Sequence, residues 1–399
     1  MKNLLLPAGC LLLFCSCIDR NVKTDNSYDQ NDRKFYVFDI EKSIADNSAD
    51  IAYINDILSD VNFIPLETNE RSLFYNSYNF AVLNNDFFVS GGLGIVNAGR
   101  GVLRFDSTGR YMEEIAKEGR GPHELPYILF WYINEKLNKI NVSGIGKMIV
   151  KSYENNETED IAYKQGIGYE FIPFDDGSYV SVKATGLGND NPSDPYLFFT
   201  DSDGELISSL SYGYNRDIGY RVIEGQEIVP PAEVYGLYPS YNGGAVFLDI
   251  FNDTVCYIRN KDDIQPDMLL KRGNLMPQVK DVNDADRRAK QVYFRDIAET
   301  EKYFLIKYFY NGRTHTDIWD KSSRRRILHT DADKDLFPRM SRIKHIAKYK
   351  MPDGTEIMLN ILYATKDKLY CLLEAYDMAG ILQGVKEDDN PIVMVMSLK

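Results

Sequence analysis

The sequence predicts an all-β fold, a six-bladed β-propeller with four-stranded antiparallel blades, and three observations lead there. Short apolar runs of strand length alternate with turn signals rich in Asn, Asp and Gly. The signals recur at wide, repeat-like intervals. From Gly109 to Gly204 is 95 positions and from Gly204 to Gly380 is 176, or roughly two units of about 47 and three of about 59. Aromatic residues make up 13 % of the chain, with 28 Tyr and 20 Phe, and such rings suit pleated, half-buried surfaces. About six units fill the stretch from Val61 to Lys399.

Taken in order, the chain opens with a leader. Met1–Ser16 carries one Lys, an apolar run from Leu4 to Phe14, and small Ser16 ahead of Cys17. The run is too short for an ordinary membrane-spanning helix and reads as a secretory signal. Its ending resembles a bacterial lipoprotein signal, in which the cysteine after the cut carries the lipid, and Cys17 fits that position best. Residues 17–34 are polar, with little to bury, and are expected to be a disordered tether. Residues 35–399 then form one domain, since no Pro- or Ser-rich linker divides them.

Within that domain Phe35–Ile40 reads as a strand and Asp50–Ser59 as a short helix or turn. Val61–Thr68 is a strand before the first full unit, placed to complete the last blade and so close the ring without a free edge. Val102–Phe105 and Tyr111–Ile115 flank the tight turn Asp106–Gly109, and Gly119-Arg120-Gly121-Pro122 ends that hairpin. Further strand-length runs are Lys139–Val142, Ser178–Val182, Tyr196–Thr200, Ala245–Ile250, Tyr303–Phe309, Glu356–Tyr363 and Lys368–Leu373. Asn283–Ala289 is a helical insertion between the fourth and fifth units. Cys256 and Cys371, the only cysteines of the body, read as buried thiols rather than a disulfide.

These residues carry a family likeness. Phe63-Ile64-Pro65-Leu66-Glu67-Thr68, then Leu103-Arg104-Phe105-Asp106 with Gly109, then Gly119-Arg120-Gly121-Pro122 with Glu124, resemble the six-bladed β-propeller lipoproteins of gut bacteria. That family is NHL-like in pattern and largely of unknown function. The resemblance extends over essentially the whole mature chain. Its usual Gly after the Pro is His123 here, which speaks against a left-handed backbone at that position.

The chemistry is less legible than the fold, since one fold hosts many functions. A formal charge of −13 repels phosphate backbones and argues against a nucleic-acid partner. No nucleophile elbow, His-Glu-x-x-His, P-loop or EF-hand loop is present. Arg120, His123 and Glu124 form a charged, titratable group beside a glycine-pinned loop and are the candidate ligand-binding residues. His315 and Asp317 share one face of a strand, where exposed strand polarity is the simplest account. No cofactor is called for. Calcium is the one ion that the paired acids Asp175-Asp176 and Asp388-Asp389 could join on propeller loops.

The expectation is therefore a lipid-anchored module of the cell envelope, periplasmic or surface-exposed. It would bind a glycan fragment, peptide or protein partner without catalysis. A calcium-assisted lyase or hydrolase and a scaffold or sensor subunit are the alternatives.

Overall fold

Each run of alternating strands closes into a small sheet, and six such sheets stand in a ring around one axis. The computed structural model describes residues 34–46, 49–74, 77–91, 101–144, 146–162, 171–182, 195–211, 235–278, 281, 284–333 and 344–399. Blade 1 consists of Ser77–Leu83, Asp86–Gly91, Val102–Phe105 and Tyr111–Glu118, with Glu124–Leu125 added in parallel at its edge. Blade 2 is Ile128–Asn134, Lys139–Gly144, Lys147–Ser152 and Thr158–Ala162, and blade 3 is Phe171–Pro173, Tyr179–Val182, Pro195–Thr200 and Leu206–Ser211. Blade 4 is Tyr235–Pro239, Ala245–Asp249, Thr254–Asn260 and Asp263–Lys271; blade 5 is Tyr293–Glu299, Tyr303–Tyr310, Arg313–Asp320 and Arg325–Asp333. Blade 6 comprises His345–Lys350, Glu356–Ala364, Lys368–Leu373 and Ile392–Leu398, and its outermost strand is Leu58–Pro65 from the N-terminal side. The expected six-bladed propeller and its closing strand are both present. Blades 1, 4 and 6 carry five strands rather than four.

Apolar side chains from facing blades seal the junctions. Phe74, Phe105, Leu372 and Val393 pack between blades 6 and 1, Phe88, Trp131 and Val142 between blades 1 and 2, and Phe38, Phe294 and Trp319 between blades 4 and 5. Each buried ring contributes about 2–3 kcal/mol relative to exposure. Cys371 lies buried in the core between blades 5 and 6, Cys256 is half-buried in blade 4, and neither joins a disulfide among the described residues.

The N-terminal segment is a belt around the outer edges of three successive blades. Tyr36–Asp39 pairs in parallel with Met268–Lys271 of blade 4, and the helix Ile40–Asp46 follows. Ile51 N–H then bonds the Ile327 carbonyl of blade 5 at 2.9 Å. Asn55 next brackets Lys350, donating to its carbonyl at 2.9 Å and accepting from its N–H at 2.8 Å. Finally Leu58–Pro65 pairs antiparallel with Ile392–Leu398. Covering sheet edges in this way removes templates for pairing with other chains.

The family-marker residues meet where the ring closes. Glu67 N–H bonds the Gly109 carbonyl at 2.8 Å, and the Glu67 carboxylate accepts from Tyr111 N–H at 2.9 Å. Gly109 sits at φ +84°, and a Cβ there would come within 2.2 Å of the Pro65 carbonyl, so only glycine fits. Asn390 completes the seam, donating to the carbonyls of Glu67 and Ser72 and accepting from Phe74 N–H. The helical insertion is shorter than expected, Ala285–Ala289, with Asp284 accepting from the N–H groups of Asp286 and Arg287 as its N-cap.

Candidate functional site

The loop that carries Arg120, His123 and Glu124 lies between the outer edge of blade 1 and blade 2. It folds about its own carboxylate: Glu124 Oε2 accepts from Gly121 N–H at 2.7 Å. A Cβ on Gly119 would come within 2.1 Å of that oxygen, which explains the glycines. His123 reaches the neighbouring blade, its Nδ1 lying 2.9 Å from Asp160 Oδ1, while Lys147 holds Oδ2 at 2.7 Å. Burial works against ionisation of Asp160, but Lys147 and then His123 outweigh it and hold the carboxyl below its ordinary value. Contrary to the sequence expectation, His123 does adopt the left-handed backbone, at φ 55°. Arg120 is exposed. None of the three lines either of the two cavities described next, and Cys17 lies outside the described residues.

Both cavities follow the ring axis. The turn after the first strand of blades 2, 3 and 4, with the end of Glu356–Ala364 from blade 6, surrounds a mouth of about 430 Å³. Glu135, Lys136, Asp175, Tyr241, Asn242 and Tyr363 supply its polar and aromatic lining. Short side-chain links hold these turns together. Asn134 donates to the Phe174 carbonyl at 2.8 Å, Lys136 pairs with Asp175 at 3.1 Å, and Ser240 donates to Glu299 at 3.0 Å. Asp175 also lies against Gly243, where φ is +81°. Glu135 is exposed to the mouth yet crowded by its walls. Burial raises its carboxyl above the ordinary value, and a hydrogen bond from Tyr363 partly offsets the rise.

Deeper along the axis, a smaller space of about 80 Å³ shares Ile133, Pro239 and Tyr363 with the mouth. Trp131, Tyr132, Tyr238, Asp296 and Lys344 line it. The strand His345–Lys350 runs outward across blade 5 from this point. His345 Nε2 lies 3.6 Å from Asp296 Oδ1, Ile346 N–H bonds Thr316 Oγ1 at 2.9 Å, and Lys350 meets the belt at Asn55. Burial alone would raise the Asp296 carboxyl, but His345, then Lys344 and Lys307, draw it well below the usual range. Burial draws the His345 imidazole down, despite Asp296.

Blade 5 holds a buried polar group that differs from the expected exposed polarity. His315 and Asp317 do lie on one face, but both are buried. Asp317 orients His329, at 2.7 Å from its Nδ1, rather than His315, and also accepts from Tyr308 at 3.3 Å. His315 stacks between Tyr308 and His329, and burial lowers its pKa. Of the paired acids, Asp176 accepts from the Ser178 N–H and hydroxyl, and Asp389 from Lys386 N–H, so both serve their own turns. Among the described residues no group of three or more His, Cys, Asp or Glu is placed to hold a metal ion.

The domain of unknown function DUF4934 matches residues 35–397. The chain belongs to the DUF4934 family. Among solved structures, a Bacteroides fragilis protein inferred to be exported superposes with a TM-score of 0.61 at 15 % identity, over 92 % of this chain and 100 % of its own. That likeness shows the shared fold. Virginiamycin B lyase of Staphylococcus aureus (TM-score 0.41, 7 % identity, 85 % of this chain and 99 % of its own) is more distant. So is the PQQ-bound aldose sugar dehydrogenase of Streptomyces coelicolor (0.38, 12 %, 85 % and 99 %). Neither is similar enough to bear on what this DUF4934 chain does. No curated protein matches the sequence.

The mouth residues went unnoticed as a group in the sequence because they are scattered over turns of several blades. Asp175 stands out in the sequence as a possible calcium ligand beside Asp176, and Asn242 only as a turn residue. The available signal is positional: each follows the first strand of its unit, which is where an axial mouth gathers side chains.

Proposed function

We propose that this DUF4934 chain is a lipid-anchored extracytoplasmic binding protein that takes a small polar ligand, a glycan fragment or a peptide, at the axial mouth without catalysing a reaction. One observation carries the reading: an axial cavity of about 430 Å³, within the size range of ligand sites, with a few polar groups and two tyrosines converging on it. Tyrosine faces suit sugar rings and peptide planes, and their hydroxyls keep a polar handle. The loop at 119–124 serves in this reading as a rim staple between blades 1 and 2. The anchor rests on the leader that ends at Cys17, and the family match begins only at residue 35. Export of the Bacteroides fragilis neighbour is in keeping with it.

Thermal unfolding of the chain from Ile18 onward, screened against oligosaccharides, short peptides, and calcium with a chelator control, tests the binding reading. Ligand at a hundred times its dissociation constant adds about 2.7 kcal/mol. A shift that disappears in Asn242→Trp, which fills the mouth, is the expected result. A shift untouched by that substitution but lost in Arg120→Ala returns the site to the rim loop. A calcium-dependent shift with turnover of a glycan favours the lyase or hydrolase, and a flat screen favours a protein partner. Labelling of the wild type, but not of Cys17→Ala, by a fatty-acid analogue tests the anchor.

A further inference from the structure

Two acids and one base line the mouth, and their pairing is unequal. Lys136 is the one Lys or Arg among the lining residues, and it is engaged by Asp175 at 3.1 Å. Nearby Lys321 is likewise held by Glu299 at 2.7 Å, and Lys366 by Glu301 at 3.3 Å. Glu135 faces the same cavity with a hydroxyl, that of Tyr363, as its partner. A crowded carboxylate that meets no cation among the described residues gains most from a cation brought by a ligand.

We infer that the axial mouth recognises a protonated primary amine, with Glu135 as its counter-ion and Tyr363 and Tyr241 as aromatic walls. The inference rests on the binding reading above and narrows it to a ligand class. Two features favour an ammonium over other cations. One carboxylate and a hydroxyl fall well short of the six to eight oxygens that calcium takes. Tyr241 also shows that its ring accepts an ammonium: Lys321 Nζ lies 5.0 Å from its centroid. An amino sugar and the amine of a peptide share this chemistry.

Isothermal titration of the full-length protein at neutral pH separates these sources and tests the inference. The probes are a glucosamine trimer and the peptide Gly-Lys-Gly, each beside its fully N-acetylated counterpart. At least one amine should bind about tenfold or more tighter than its acetylated form, and Glu135→Gln should erase that preference while still unfolding cooperatively. Affinity for the amine should fall as salt is raised, a readout that needs no variant. Equal binding of amine and acetylated forms overturns the inference, as does an unchanged preference in Glu135→Gln or a failure of both amines to bind. If neutral oligosaccharides still bind, only the amine falls; if nothing binds, the binding reading falls with it.

Discussion

The Tyr363 hydroxyl donates to the Glu135 carboxylate across the axial mouth and joins blades 6 and 2, which are not neighbours in the ring. Burial raises the Glu135 carboxyl, so the folded state holds this proton more tightly than the unfolded chain does. Ionisation therefore costs stability at neutral pH, and the cost vanishes as pH falls below the ordinary glutamate value of about 4.3. Glu135→Gln, which cannot ionise, should melt slightly higher than wild type at neutral pH. The difference should close toward about pH 4. Melting curves of both proteins across this window check the sign, and a difference independent of pH would show an unperturbed carboxyl.

Asp296 is the opposite case. It is a buried carboxylate kept ionised by His345, Lys344 and Lys307 along the axis. Asp296→Asn removes a buried carboxylate that lies 3.6 Å from His345 Nε2 and that Lys344 and Lys307 favour in its charged form, and losing such a buried charge costs about 3 kcal/mol. Chemical denaturation at neutral pH should show that loss. Because the folded carboxyl is depressed, its contribution is present above the ordinary aspartate value of about 3.9 and fades only in stronger acid. The deficit of the variant should persist through mildly acidic pH and close only below it.

The ring was legible because blades repeat the same local devices. Asp106–Gly109 and Asp353-Gly354 are turns that a short sequence window can specify, and Val61–Thr68 stood out as a strand ahead of the first full unit. The belt was not legible. Tyr36–Asp39 pairs in parallel with residues more than two hundred positions away, and a long-range parallel partner leaves no local trace. His123 misled because residue type alone argued against a left-handed backbone, whereas its side chain reaches Asp160 of the next blade from that conformation. The site was hidden for a similar reason. Glu135, Asp175 and Tyr363 become neighbours only when the ring closes, and Asp296 and His345 come from strands of different blades.

The belt supplies a third test. Asn55 brackets both backbone groups of Lys350, and a net hydrogen bond is worth about 1 kcal/mol. Asn55→Ala should therefore cost about 1–2 kcal/mol in denaturant unfolding without altering ligand affinity at the mouth. Removing residues 1–57 strips the cover from the edges of blades 4 and 5 but leaves the closing strand Leu58–Pro65. That truncated chain should self-associate in a concentration-dependent manner by size-exclusion chromatography. A monomeric, equally stable truncation would mean that the belt protects nothing.

His123 offers a way to weigh strain against contact. Its φ of 55° is left-handed, a region that costs a residue with a Cβ about 1–2 kcal/mol. It pairs with Asp160 through an imidazole that is 54 % exposed, and such pairs contribute less than about 1 kcal/mol. His123→Gly loses the contact but relieves the strain, so it should be as stable as wild type or up to about 1 kcal/mol more stable. His123→Ala loses the contact and keeps the strain, and should be less stable than the glycine variant by about 1 kcal/mol. Denaturant melts of the three proteins read this order directly. Equal stability of the alanine and glycine variants would show that the loop stores no backbone strain and that the Asp160 contact alone fixes His123.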